Sequence, residues 1–312
     1  MEFYYTEERN VQMLIYLMKA HGIKRVIASP GTTNVTFVAS LQQDPFFEIY
    51  SVADERSAAY MACGLAAETG EPVVLSCTGA TASRNYIPGL TEAFYRKLPV
   101  LAVTSTQHIG RVGQLCPQVI DRAVIQNDIA VMSVQISTIH CEEDDWDCNI
   151  KINTALLALT YKGGGPVHIN LTTNYTKSFN VKRLPEFRII HRIQENNVFP
   201  EIKRDRVGIF VGAHLPWRQE LTDAVDKFCE KYNGVVFCDH TSNYKGKYRV
   251  QYNLISGQNK HYSNTRKMDL LIDMGEMSGS YMSLSPKEVW RVNPDGQIRD
   301  SWKKITYIFD ME

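Results

Sequence analysis

The stretch Asp54-Glu55-Arg56-Ser57-Ala58-Ala59-Tyr60-Met61-Ala62-Cys63-Gly64-Leu65-Ala66 decides how the chain is read. It follows a strand-like run at 47–52 and opens a helix that continues to Gly70. An acidic residue in a helical first turn is favoured by the helix dipole, which alone would account for Glu55. The same position lies just past the carboxyl end of a strand, where an open parallel sheet presents groups to a ligand crevice. Small residues behind it (Ser57, Ala58, Ala59, Ala62, Gly64) predict close helix packing and a dry setting for the carboxyl group.

Outward from this stretch the pattern alternates. Thr6-Glu7-Glu8 offers an N-cap and an acidic first turn to a helix that Gly22 closes. Strands are expected at 23–28, 72–77, 100–104, 131–137 and 167–171, with helices at 34–41, 83–95 and 150–161. Strands alternating with helices of this length imply β-α-β units and a parallel sheet. Residues 181–205 lose periodicity, carry Pro185 and Pro200, and read as a linker. The alternation then restarts with strands at 207–211, 235–238, 268–274, 289–292 and 305–309 and a helix at 216–232. The expected fold class is therefore α/β, with two parallel-sheet domains carrying helices on both faces. The first spans 1–180 and the second, with a Rossmann-like rhythm, 206–312. The run Val207-Gly208-Ile209-Phe210-Val211-Gly212 lacks the G-x-G-x-x-G turn, so a packed strand end is expected there rather than a nucleotide site.

Composition sets the outer limits. The 312 residues carry 34 basic and 34 acidic side chains, where a nucleic-acid binder would show a basic excess. No run approaches 18 apolar residues, and the acidic N-terminus is unlike a secretory signal, so a cytoplasmic protein with no membrane partner is expected. Seven cysteines without a C-x-x-C fit that compartment. Cys141 and Cys148 near His140 are too loosely spaced for zinc, and no metal site is expected within the chain.

The stretch around Glu55, with 72–105, resembles the pyrimidine-binding domain of thiamine-diphosphate enzymes of the acetolactate synthase type. Ser29-Pro30-Gly31 and Asp54-Glu55-Arg56 are similar to the menaquinone-pathway synthase branch of that family. The pattern extends through Thr78-Gly79-Ala80-Thr81, Asn85, Gly89, Glu92-Ala93 and Pro99-Val100, and ends in Gly113 followed five residues later by Gln118. The resemblance implies that Glu55 hydrogen-bonds N1′ of the cofactor's aminopyrimidine, as a buried glutamate with a raised pKa that promotes proton loss from thiazolium C2. It implies that Gly31 and Thr32 lie on a substrate-side loop, that Thr78 and Gly79 line the pyrimidine pocket, that Asn85 lies beside it, and that Gln118 faces the reacting centre. Read without the family, Thr78-Gly79-Ala80-Thr81 is a simple turn, Gln118 an exposed amide and His108 a surface histidine.

Two departures from the family stand out. Thr32-Thr33-Asn34 occupies the place where the menaquinone enzyme has a substrate-holding arginine, which leaves the acceptor open. The Gly-Asp-Gly start of a diphosphate domain is absent, so Mg²⁺ is implied with its ligands outside this chain. The chain is expected to be the first two thirds of an enzyme acting on a 2-oxo acid, by decarboxylation with release or carboligation. It would be a truncated or split form, completed by a diphosphate-binding domain or separate subunit, homo-oligomeric, and inactive alone. A split phosphonopyruvate- or sulfopyruvate-type decarboxylase subunit and a non-catalytic binding or regulatory subunit remain as alternatives.

Overall fold

A computed structural model describes residues 4–122, 124–252, 254, 264–279 and 284–312. The chain divides into two compact units, Met1–Ile189 and Ile190–Glu312. In chain order the first contains α1 (Arg9–Ala20), β1 (Arg25–Ala28), α2 (Val35–Gln42), β2 (Glu48–Ser51), α3 (Glu55–Thr69), β3 (Val73–Thr78), α4 (Thr81–Asn85), α5 (Ile87–Tyr95), β4 (Val100–Thr106), β5 (Met132–Ile136), α6 (Glu142–Ala158) and β6 (Val167–Thr172). Its six strands run parallel in the order β2-β1-β3-β4-β6-β5.

The central strands are buried on both faces, which is why β3 and β4 read as unbroken apolar-to-small runs rather than alternating ones. One face packs Val26, Val74, Leu101, Val103 and Ile169 against α1, α2 and α6 through Leu14, Met18, Phe37, Leu41 and Ile152. The other packs Ile27, Leu75 and Ala102 against Ala58, Ala59 and Ala62 of α3 and Leu90 and Ala93 of α5. Gly89 is what lets α5 approach: a Cβ there would stand 2.5 Å from that of Ala59. Ser57 and Gly64 belong to the opposite, exposed side of α3, so only part of the small-residue set serves packing.

Several boundaries move for identifiable reasons. The first helix begins at Arg9, with Glu8 as N-cap and no acid in its first turn. Thr6 is buried, and its Oγ1 accepts from the Glu8 N–H at 3.2 Å, so it shapes the approach to the helix. The helix expected at 83–95 breaks into α4 and α5 at Tyr86, because Pro88 has no N–H to continue the ladder. α6 starts eight residues before the expected helix, at Glu142. Its first turn is a run of four acids that shows no apolar period but suits a helix N-terminus, and Asp144 accepts from the His140 and Cys141 N–H groups. Residues 181–205 are shared out. Val181 bridges to Tyr5 and Phe187 enters the first core, whereas β7 (His191–Ile193) is an edge strand of the second sheet.

The second unit adds β8 (Val207–Val211), α7 (Gln219–Tyr232), β9 (Val235–Cys238), β10 (Arg249–Val250), β11 (Lys267–Met274), β12 (Ser285–Val292) and β13 (Ile305–Phe309). Its seven strands are all parallel, ordered β10-β9-β8-β11-β12-β13-β7. Gly212 closes β8 against its neighbour, since a Cβ there would lie 1.9 Å from the Glu276 carbonyl oxygen. A packed strand end occupies that turn. No helix among the described residues is long and apolar enough to cross a membrane.

Candidate active site

The topology of the first sheet chooses the site. β1 lies between β2 and β3, and the chain leaves β1 for α2 on one face but leaves β3 for α4 and α5 on the other. Connections that part in opposite directions from adjacent strands open a crevice at their carboxyl ends, the usual ligand position in open α/β sheets. The two loops at that edge are Ser29–Asn34 and Thr78–Ala80.

Both loops are held by buried polar side chains. Asn34 donates from Nδ2 to the Ser29 carbonyl (3.1 Å) and to Ser76 Oγ (3.2 Å), tying β1 to β3. Thr33 donates to the Ser105 carbonyl at 2.7 Å, tying the same loop to β4. Thr32, the residue put forward from the sequence, is exposed, while Thr33 and Asn34 do the positioning. Gly31 and Thr78 meet directly, for a Cβ on Gly31 would stand 2.1 Å from the Thr78 methyl group. At Gly79 the space a side chain would take is filled by the Ser105 carbonyl (2.7 Å), Arg122 Nη2 (2.8 Å) and Thr106 Cβ (2.9 Å). These glycines are needed by the protein's own close approaches.

Glu55 is the first residue of α3, next to the N-cap Asp54, whose carboxylate accepts from the Ser57 N–H at 2.7 Å. That bond holds the Asp54 carboxyl below its ordinary pKa. Glu55 Oε2 accepts from Asn85 Nδ2 at 3.1 Å, so two residues thirty apart in sequence form one polar pair. The expectation of a buried, dry glutamate is corrected: Glu55 is half-buried, in a helix start whose Asp54, Arg56 and Ser57 are exposed. Beneath it lie Cys77 and Tyr86, both wholly buried. Burial raises the Cys77 thiol to about 12 and the Tyr86 phenol well above its ordinary 10, so both stay neutral.

Gln118 sits exposed on the loop from β4 to β5, its backbone left-handed (φ 62°), like Gly113 before it (φ 78°). His108 serves its own turn, with Nδ1 accepting from the Gly110 N–H at 3.1 Å. The same loop carries a residue that sequence reading passed over. Arg122 is buried, and its guanidinium donates to Asn170 Oδ1 on β6 beside the Gly79 turn. Behind it His168 is held between Thr104 Oγ1 (2.7 Å) and Ser133 Oγ (2.8 Å), and burial together with Arg122 and Arg84 lowers its pKa to about 3. Nothing in the local pattern around Arg122 marks it, since its burial depends on strands far away in sequence.

Residues 9–133 match the family described as thiamine pyrophosphate enzyme, N-terminal TPP binding domain. This stretch is a thiamine pyrophosphate enzyme N-terminal domain. The chain is 30% identical over 329 aligned positions to the 2-succinyl-5-enolpyruvyl-6-hydroxy-3-cyclohexene-1-carboxylate synthase of Bacteroides fragilis, covering 99% of this chain and 59% of that protein. The synthase of the same name from Phocaeicola vulgatus is 37% identical over 196 residues, 62% of this chain and 35% of its own length. A solved thiamine diphosphate-dependent 4-hydroxybenzoylformate decarboxylase from Rhodococcus jostii RHA1 superposes with a TM-score of 0.48 at 16% identity, over 97% of this chain and 59% of that one. The chain thus spans about three fifths of the Bacteroides fragilis relative's length.

The thiamine-enzyme domain contains the Glu55–Asn85 pair, the Gly31–Thr78 contact and Gln118 within its matched residues. In the second unit, strand order also reverses beside β8, and a cavity of about 450 Å³ opens at the carboxyl ends of β8 and β11, lined by His214, Trp217, Glu276 and Asn293. Asp273 and Arg291 form a buried ion pair (3.2 Å) on β11 and β12. Among the described residues no group of three or more His, Cys, Asp or Glu side chains could hold a metal ion.

Proposed function

We propose that this chain supplies the pyrimidine-binding and central portions of a thiamine-diphosphate-dependent enzyme acting on a 2-oxo acid. The observation that carries the proposal is the Glu55–Asn85 pair, set at the carboxyl edge of a parallel sheet beside its switch-point crevice. The residues fit the aminopyrimidine end of the cofactor. Glu55 Oε1 makes no hydrogen bond among the described residues, which leaves it able to accept one, and Asn85 fixes the other oxygen. Thiamine diphosphate, when bound, supplies the electron sink for the carbanion chemistry.

In this reading Glu55 holds a proton at the aminopyrimidine N1′. Asn85 keeps the carboxylate oriented, and the neutral Cys77 and Tyr86 beneath exclude water from that side. The half-exposure of Glu55 supports a site completed from outside, where covering by a further domain would dry the carboxyl group. Tyr60 and Met61, 47% and 37% exposed on α3, support a homo-oligomer whose second copy covers that helix. Mg²⁺ and the diphosphate would be held by a diphosphate-binding domain or subunit outside this chain. The curated relatives are synthases, which favours carboligation over simple release, and Thr32-Thr33-Asn34 leaves the acceptor open. The test is Glu55→Gln in the enzyme assembled with its diphosphate-binding part. Loss of at least a hundredfold in 2-oxo-acid turnover is expected, with fold and assembly unchanged by circular dichroism and light scattering; retained turnover would sink the assignment.

A further inference from the structure

Strands β8, β11, β12 and β13 lie side by side and parallel, so the residues that open them gather at one edge of the second sheet. Arg206 precedes β8, Lys267 opens β11, Lys287 is the third residue of β12 and Lys304 precedes β13. These four exposed cations, far apart in sequence, line one cavity of about 530 Å³, with the buried Met268 and Pro286 as its apolar wall. It lies at the amino-terminal ends of the strands, the opposite edge from the cavity at the carboxyl ends of β8 and β11.

The charge in this cavity is not balanced from within the unit. Asp269 is the one acid among its lining residues, and it accepts from Lys287 Nζ at 2.7 Å and from the Arg206 N–H at 3.3 Å. The bond from Lys287 holds the Asp269 carboxyl below its ordinary pKa, so it stays charged and cancels one cation. Among the described residues no carboxylate pairs with Lys267 or Lys304. The nearest other acids are engaged elsewhere: Glu288 meets Arg204 at 2.8 Å, and the buried Asp300 accepts from the Lys304 and Ile305 backbone N–H groups. Residues 253, 255–263 and 280–283 include no acid. Four cations against one acid leave +3 in this cavity, within a chain that is neutral overall. Like charges gathered without acids repel one another, so the cluster costs stability rather than adding it. A concave site lined by one sign of charge, with an apolar wall, focuses the field and concentrates counter-ions.

We infer that this cavity is a binding site for a small molecule carrying a polyphosphate group, held chiefly by Lys267, Lys287 and Lys304. Lysine ammonium groups are point charges that suit phosphate oxygens, whereas a carboxylate is better met by a free arginine fork. The Arg206 guanidinium already donates to the Asn264 carbonyl, so it adds charge more than a fork. The net +3 matches a diphosphate, which carries about three negative charges near neutral pH, better than it matches a single carboxylate. The volume is that of an ordinary small-ligand site. A nucleoside diphosphate and free pyrophosphate share this chemistry. The inference does not depend on Glu55 or on the proposed function.

The test is calorimetry on the 312-residue chain, with inorganic pyrophosphate as the probe. One site with a Kd below about 1 mM is expected at low salt, weakening at least fivefold as NaCl rises from about 20 to about 200 mM. Lys267→Gln/Lys304→Gln should bind at least tenfold more weakly, yet melt at or above wild type because repulsion is relieved. Lys267→Arg/Lys304→Arg, which keeps both charges, should bind within threefold of wild type. Lys227→Gln/Lys245→Gln removes two exposed cations of the same unit from outside the cavity and should leave the affinity unchanged. ADP distinguishes the sources: tighter binding than pyrophosphate marks a nucleotide site, and weaker binding a site for free diphosphate. The inference is overturned if pyrophosphate does not bind, or if the two glutamine pairs weaken it equally. It is equally overturned if Lys267→Gln/Lys304→Gln folds but melts well below wild type, which would mark cations that serve the fold.

Discussion

Gly89→Ala tests the link between helix packing and the site. The added Cβ would stand 2.5 Å from Ala59 Cβ and 2.9 Å from the Ala59 carbonyl carbon, so α3 and α5 must part by close to 1 Å to restore ordinary contact. Overpacking of this kind costs about 1–3 kcal/mol. For a unit of this size each kcal/mol lowers the melting temperature by roughly 2–4 °C, so a fall of roughly 2–12 °C is expected. Glu55 sits at the start of α3 and Asn85 at the end of α4, one residue before α5 is joined, so the same movement stretches their 3.1 Å hydrogen bond beyond bonding distance. Ala59→Gly removes the methyl group that is struck, and the double variant should recover at least 0.5 kcal/mol over the sum of the single changes. The assay is thermal melting and urea unfolding of the four proteins, with thiamine diphosphate affinity of the assembled enzyme as a further readout. A Gly89→Ala protein that melts within 1 °C of wild type, or a double variant that is strictly additive, would refute the packing account.

Three further outcomes are expected. His168 carries a depressed folded pKa of about 3 against 6.5 for an ordinary histidine, so its contribution to stability is complete above pH 6.5 and is lost as pH falls towards 3. Denaturant midpoints from pH 7 to 4 should therefore fall less steeply in His168→Gln than in wild type; parallel slopes would contradict a buried neutral imidazole. Cys141 is exposed and Cys116 half-buried, whereas burial raises Cys63, Cys77, Cys148, Cys229 and Cys238 to about 11 or 12. A thiol reagent at pH 8 should consume one to two equivalents quickly and the remainder only on unfolding; five fast thiols would count against the fold. Asn34→Ala removes both Asn34 side-chain hydrogen bonds of the Ser29–Asn34 loop, leaving the Thr33 tie, and should cost about 1–3 kcal/mol in urea unfolding, with no change there meaning that the Thr33 tie is enough to hold the loop.

Much of the fold was legible because parallel strands and their covering helices are written in local periodicity. β3, β4 and β6 appear as apolar runs, and Gly22 and Gly70, both left-handed, mark helix ends. α6 hid its start because four acids at a helix N-terminus look like a loop to any reading by apolar period. β7 hid because three residues, His191–Ile193, are too short to show alternation and become a strand only by pairing with β13.

The site divides along the same line. Glu55, Thr78-Gly79, Asn85 and Gln118 were marked by the resemblance to a known family; spacing alone left an acid favoured by a helix dipole, a turn before a helix and an exposed amide. The pairing of Glu55 with Asn85, the seating of Gly31 on Thr78, and the half-exposure of Glu55 came only with the folded chain. Arg122 is the plainest case. In sequence it is one charge in a polar loop; in space Gly79, Thr106 and Asn170 close over it and leave a cation without a counter-ion. Periodicity is a property of neighbours along the chain and can be read from them. Burial is set by whichever distant segments fold over a side chain, and so is the charge it is left to face.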